Sequence, residues 1–171
     1  PVDFPQGSSQ RRELIEWYAD CVAPYAEYIP GPDMGTDERD MDIIFKKNAR
    51  SIGRTDGIPL DQLGLTALGV MHTLKLLVEG GFVDGLTSVA GSTMSVEGFG
   101  NVGGIAARMF HDAGATVIAL QDHSATLANE AGIDIHAALA HVTSTGGLKD
   151  FPGASPVSVD DFWLLPSDFL V

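Results

Sequence analysis

The stretch TMSVEGFGNVGGIAARMFHDAGATVIALQD, residues 93–122, decides how this chain is read. TMSVEG (93–98) is a short, mixed-apolar run that reads as a strand. NVGGIAARMFHDAG (101–114) reads as a helix with small residues in its first turn. ATVIALQD (115–122) is a β-branched strand ending in a carboxylate. Between the first strand and the helix stands G-x-G-x-x-G: Gly98, Gly100 and Gly103. Alone, that spacing is a weak signal. Here a strand precedes it, a helix follows it, and an acid ends the next strand. Asp122 lies 19 residues after Gly103 and 24 after Gly98, which brackets the spacing of about 20 typical of dinucleotide sites.

Each residue type has a physical task. Gly98 allows a tight turn, Gly100 lets a pyrophosphate approach the backbone, and Gly103 lets the helix pack closely on the strand. The N–H groups at the helix start, near Asn101 and Val102, face the phosphates. Asp122 is placed to accept hydrogen bonds from the adenosine ribose hydroxyls. A carboxylate repels a 2′-phosphate, so the expected cofactor is NAD; His123 and Ser124 beside it leave NADP possible. The plain alternative is a glycine-rich turn with no ligand, and the coincidence of five features in one βαβ unit weighs against it.

Working outward, IDIHAALAHVTST (133–145) reads as another helix and DFLV (168–171) as the start of a strand. Alternating strands and helices predict an α/β fold, a Rossmann-type parallel sheet with helices on both faces. Upstream, TALGVMHTLKLLVE (66–79) is the clearest helix and Gly80–Gly81 close it. Residues 48–65 hold Gly53, Gly57, Pro59 and Gly64 and read as an irregular connector, the best place for a domain boundary. SSQRRELIEWYADCVA (8–23) reads as a helix capped by Ser8 or Ser9 and ended by Pro24, with Leu14, Ile15, Tyr18 and Val22 on its apolar face. A second helix is expected from Thr36, with Asp37 and Glu38 suiting its first turn.

The charge narrows the partners. Ten Lys+Arg against 23 Asp+Glu make a formal net charge of −13, which argues against nucleic acid and an anionic membrane surface. No apolar run approaches the roughly 18 residues of a membrane span, and the first residues carry no signal-peptide stretch. One cysteine, Cys21, fits a reducing compartment, and the expected location is cytoplasmic. Glycine, 20 of 171 residues, exceeds the usual share of about 7%. A start at Pro1 and an apolar end at DFLV read as cut ends, so the chain is expected to be a fragment.

The segment PGPDMGTDERDM (30–41) holds Asp33 in a stiff, glycine-flanked loop. Such a loop can fix a carboxylate for proton transfer; the plain reading is an Asp that caps the following helix. Other residues carry less. His111, His123, His136 and His141 have no metal-ligand spacing, and no metal is expected. Cys21 is expected to be a small core residue, Arg11 and Arg12 to be solvated, Phe99 to pack under the glycine loop, and Asp160–Asp161 with Trp163 to form a helix start or turn.

GPDMGTDERDM, LTALGV (65–70), EGFGNVGGIAARMFHDAGATVIALQDH (97–123), NEAGID (129–134) and DFWLLPSDFLV (161–171) occur in order across nearly the whole chain. Together they resemble the glutamate/leucine/phenylalanine/valine dehydrogenase family, and the bacterial glutamate dehydrogenases in particular. The resemblance implies NAD(P)-dependent oxidative deamination of an L-amino acid, glutamate first, to its 2-oxo acid and ammonia. It implies that Asp33 is the catalytic Asp that moves a proton at the substrate amino group. It implies that the hydroxyl of Thr66 lies near the nicotinamide amide, and that Gly98, Gly100, Asn101, Val102, Gly103 and Asp122 hold the cofactor. It makes residues 1–65 the end of a substrate and oligomerisation domain with its connector, and 66–171 a partial dinucleotide-binding domain. Homo-oligomers, mostly hexamers, are implied.

The chain departs from that pattern too. Its four lysines, Lys46, Lys47, Lys75 and Lys149, do not stand in a G-G-x-K-G setting, so the family's catalytic lysine is not among them. LTALGV lacks the Arg common there in glutamate dehydrogenases and looks closer to the branched-chain enzymes. The chain by itself is therefore expected to be inactive. The alternative is an inert nucleotide-binding or interaction module that lacks the lysine by design; a third is a purely structural fragment.

Overall fold

The computed structural model describes residues 4–33, 35–58 and 63–171. Met34 of the PDMGT loop and residues 59–62 of the expected connector lie outside them. The chain divides into two compact units, Pro1–Leu63 and Gly64–Val171.

In the first unit, Ser8 sits in extended backbone and its Oγ accepts the Arg11 N–H, which starts helix α1 (Ser9–Val22). Its buried face is Arg11, Ile15 and Ala19, each four residues apart. Leu14, Tyr18 and Val22 flank that stripe, half-buried. Cys21, expected in the core, is exposed, because it lies two residues past Ala19 and so turns to the opposite side of the helix. Helix α2 (Glu38–Phe45) starts two residues later than expected. Its cap is Asp37, which accepts the N–H groups of Arg39 and Asp40 while Asp40 returns a bond to the Asp37 N–H. Thr36 cannot serve, since its hydroxyl is engaged with Asp33. The two helices bury Ile15, Ala19, Met41 and Ile44 between them, with Tyr18 and Ile43 alongside.

The second unit opens with α3 (Leu65–Glu79), followed by β1 (Thr93–Glu97), α4 (Gly103–Asp112), β2 (Thr116–Gln121) and β3 (Thr126–Ala128). Then come α5 (Ile135–Thr145), β4 (Ser155–Pro156), α6 (Val159–Trp163) and β5 (Phe169–Leu170). The strands form one sheet in the order β4-β3-β2-β1-β5. The fold is α/β and Rossmann-like, with β1 parallel to both β2 and β5. The expected parallel pairing holds for β1 with β2 and β5, while at one edge β3 pairs antiparallel with β2 and β4 antiparallel with β3. Only residues 122–125 join β2 to β3, and a parallel return needs a crossover of a dozen residues or more.

The core of this unit is continuous from sheet to helices: Met94 and Val96 of β1, Val117 and Leu120 of β2, Phe110 of α4 and Ile135 of α5 are fully buried. Truncating a buried Phe such as Phe110 typically costs about 3–5 kcal/mol. Among the described residues no helix is long and apolar enough to cross a membrane.

Candidate functional site

Parallel β1 and β2 end side by side, with Glu97 in register with Gln121. In α/β sheets ligands bind outside the carboxyl ends of such strands, and that is where Gly98–Gly103 lies. The Gln121 carbonyl accepts both the Gly98 and the Phe99 N–H, each at 2.8 Å, and ties the loop to the end of β2. Phe99 is buried in the core beneath.

The three glycines differ in what surrounds them. Gly98 has φ +88°, a left-handed conformation that disfavours any side chain. A Cβ on Gly98 or on Gly100 would meet nothing within 4 Å. A Cβ on Gly103 would stand 2.2 Å from the Gly98 carbonyl oxygen and 3.2 Å from Val96 Cγ1. So Gly103 closes the helix onto the strand, while Gly98 and Gly100 leave open space above the backbone. Helix α4 begins there with no side-chain cap, and its first-turn N–H groups form an anion-favouring terminus. Asn101 and Val102 are exposed at that terminus. Backbone, open space and dipole together fit a dinucleotide's phosphates.

Asp122 follows β2 directly, and its carboxylate is mostly occupied by protein. Oδ1 accepts the N–H and the hydroxyl of Ser124, both at 2.7 Å, and the Ala125 N–H at 3.0 Å. Oδ2 accepts the Leu148 N–H at 2.8 Å and lies 4.0 Å from His123 Nδ1. The remaining acceptor capacity is therefore on Oδ2. Burial pushes the carboxyl pKa up, but the hydrogen bonds from Ser124, Leu148 and Ala125 outweigh it and hold the group below the usual range. Beside it, His123, Ser124, His141 and Lys149 line a cavity of about 320 Å³.

Thr66 is exposed in the first turn of α3. A Cβ on Gly64 would stand 2.9 Å from Ile105 Cγ2, so the start of α3 is seated on α4, the helix that opens from the glycine loop. The second unit thus gathers Thr66, Gly98, Gly100, Asn101, Val102, Gly103 and Asp122. Asp33 belongs to the first unit and is exposed. It is not the cap of α2. Its backbone closes a turn instead: the Asp33 carbonyl accepts the N–H and the hydroxyl of Thr36, and Thr36 Oγ1 accepts the Asp33 N–H.

Sequence reasoning passed over three residues. Gly104 would bring a Cβ to 3.2 Å from Leu139 Cδ2, so it sets how closely α4 meets α5. Gly147 would bring one to 2.4 Å from Ser124 Oγ, inside the Asp122 network; the second glycine of T-G-G was the available signal. Arg11, expected to be solvated, is 5% exposed and paired with Asp40. That bond holds the guanidinium's pKa up against the penalty of burial. Among the described residues no cluster of three or more His, Cys, Asp or Glu could hold a metal ion.

The model of the glutamate/leucine/phenylalanine/valine dehydrogenase family matches residues 57–171. The chain belongs to that family. It is 35% identical over 162 residues to the mitochondrial glutamate dehydrogenase of Dictyostelium discoideum, covering 84% of this chain and 32% of the relative. Its fold is similar to hetero-hexameric glutamate dehydrogenase from Thermus thermophilus in a leucine-bound form. There the TM-score is 0.73 at 22% identity, over 98% of this chain and 42% of the other. It is also similar to L-tryptophan dehydrogenase from Nostoc punctiforme, at TM-score 0.53 and 22% identity over 93% of this chain and 39% of that one. The chain thus spans about a third of the curated relative's length.

Proposed function

We propose that this chain contributes the cofactor site and the proton-carrying Asp33 of an NAD(P)-dependent amino-acid dehydrogenase, with glutamate the favoured substrate. The observation that carries this reading is the open space over Gly98 and Gly100 at the uncapped start of α4, in a member of this dehydrogenase family. The bound nicotinamide cofactor supplies the acceptor and donor of hydride. The chain's own residues bind and orient it. The Gly98–Gly103 backbone and the α4 terminus take the phosphates, Oδ2 of Asp122 takes a ribose hydroxyl, and Thr66 orients the nicotinamide amide. Asp33 moves a proton to and from the substrate's amino nitrogen. Glutamate is favoured because the 35%-identical relative is a glutamate dehydrogenase. NAD is favoured over NADP because Asp122 is held ionised and repels a 2′-phosphate.

We further propose that the chain acts within a longer polypeptide, supported by its 32% coverage of that relative. Homo-oligomeric assembly, typically a hexamer, and a cytoplasmic location complete the reading. The second reading, an inert nucleotide-binding module, is favoured by the four lysines, which all stand outside a G-G-x-K-G setting.

Calorimetric titration of the chain with NADH and NADPH tests the cofactor claim. NADH is expected to bind, and more tightly than NADPH; no binding of either sinks the proposal. In the longest gene product that carries this chain, Asp33→Asn is expected to lower turnover by orders of magnitude while NADH binding stays unchanged. Unaltered turnover refutes the role of Asp33, and a parent that binds NADH without turnover supports the inert module.

A further inference from the structure

We propose that Arg11 is a positioning residue for Asp33, a buried guanidinium that pins the Asp33 turn to helices α1 and α2. This rests on the reading of Asp33 as the proton carrier. Arg11 Nη2 donates to the Gly35 carbonyl at 2.7 Å, and Nη1 donates to the Phe4 carbonyl at 3.0 Å. Nε donates to Asp40 Oδ1 at 3.0 Å, and Nη2 also donates to Asp40 Oδ2. Asp40 Oδ2 in turn accepts the Asp37 N–H at 3.1 Å, which is half of the α2 capping box.

These bonds share one geometry. Gly35 has φ +79° and stands inside the turn that the Thr36 N–H closes on the Asp33 carbonyl. Thr36 Oγ1 locks the same turn from the other side by accepting the Asp33 N–H at 2.9 Å. The turn is therefore held internally by Thr36 and externally by Arg11, and the following helix is capped through Asp40. Asp33 is exposed, yet the turn that bears it is fastened to a residue only 5% exposed. A planar guanidinium can reach the Gly35 carbonyl and both Asp40 oxygens together; a Lys ammonium offers no such fork. An ion pair needed for folding alone requires only the Asp40 contact. The bond to Gly35 has a consequence for where Asp33 sits, and misplacing a reacting group by about 1 Å can cost about 100-fold in rate.

The test uses the longest gene product that carries this chain, with deamination followed as NADH formation. Arg11→Lys keeps a charge for Asp40 but releases Gly35. The pair Arg11→Met with Asp40→Leu removes both charges, an exchange that is often neutral for stability. Each is expected to lower kcat about 10- to 100-fold, with KM for amino acid and cofactor within about twofold; the melting temperature stays near that of the parent for Arg11→Lys and falls by about a few degrees for the pair, which also loses the Asp40 half of the α2 capping box. Each is also expected to be non-additive with Asp33→Asn, the combined variant being no slower than Asp33→Asn alone. Parental kcat in a folded variant, or full additivity with Asp33→Asn, overturns the proposal. So does unfolding of both variants, which makes Arg11 a residue of the fold only. If Asp33→Asn itself leaves turnover unchanged, the reading of Asp33 has failed, and that outcome is seen without reference to Arg11.

Discussion

Gly100→Ala and Gly103→Ala place the same methyl group three residues apart in one loop, and the structure assigns them opposite consequences. At Gly103 the new Cβ would lie 2.2 Å from the Gly98 carbonyl oxygen, well inside the 3.0 Å that Cβ atoms essentially never breach. The obstacle is backbone, so α4 must slide away from β1. Overpacking of this kind typically costs about 1–3 kcal/mol, and with about 2–4 °C per kcal/mol the melting temperature should fall by roughly 2–12 °C. At Gly100 the Cβ meets nothing within 4 Å, so the melting temperature should stay within about a degree or two of the parent. What Gly100→Ala fills is the space assigned to the phosphates, so NADH affinity should fall tenfold or more, about 1.4 kcal/mol. The assays are differential scanning calorimetry and isothermal titration on the same preparations. A stable Gly100→Ala chain with parental NADH affinity would refute the phosphate assignment. A Gly103→Ala chain that melts with the parent would refute the close-approach argument.

Two further outcomes follow from the side chains. The Asp122 carboxyl is held below its usual range, so the stability it contributes is full above the unfolded-state pKa of about 3.9 and is lost as pH falls through the lower, folded value. The gap in melting temperature between the parent and Asp122→Asn should thus be constant from pH 5 to 7 and narrow below about pH 4; a gap that ignores pH speaks against that network. Exposed Cys21 should react with a thiol reagent in the native state as fast as in urea, and protection in the native state would contradict its outward placement on α1.

Much of the second unit is legible in residues 93–122 because a βαβ unit is a local object. Strand, turn, helix and strand are contiguous, and Gly103, the tightest of the loop glycines, answers a constraint set five residues before it. The antiparallel wing is less legible. Thr126–Ala128 and Ser155–Pro156 are too short to carry a pattern, and only the four-residue link after β2 signals that the chain turns back. The first unit hid a buried, multiply bonded side chain. Arg11 reads as surface charge from one dimension, since the partners that bury it include Asp40, 29 residues on, and the Gly35 carbonyl, 24 residues on.

By itself, the sequence determined the family, the position of the glycine loop and the acid at the end of β2, because these depend on spacing along a single βαβ segment. Only the tertiary structure decided what those groups can still do. It showed that Oδ1 of Asp122 is taken up by Ser124 and Ala125 while Oδ2 accepts only the Leu148 N–H among these bonds and keeps room for a further donor, and that Asp33 rides on a turn pinned from α1. Each fact turns on one hydrogen bond between distant segments, Leu148 to Asp122 and Arg11 to Gly35. A carboxylate's free lone pairs and a loop's stiffness depend on which partners folding brings within 3 Å, and no local pattern encodes that.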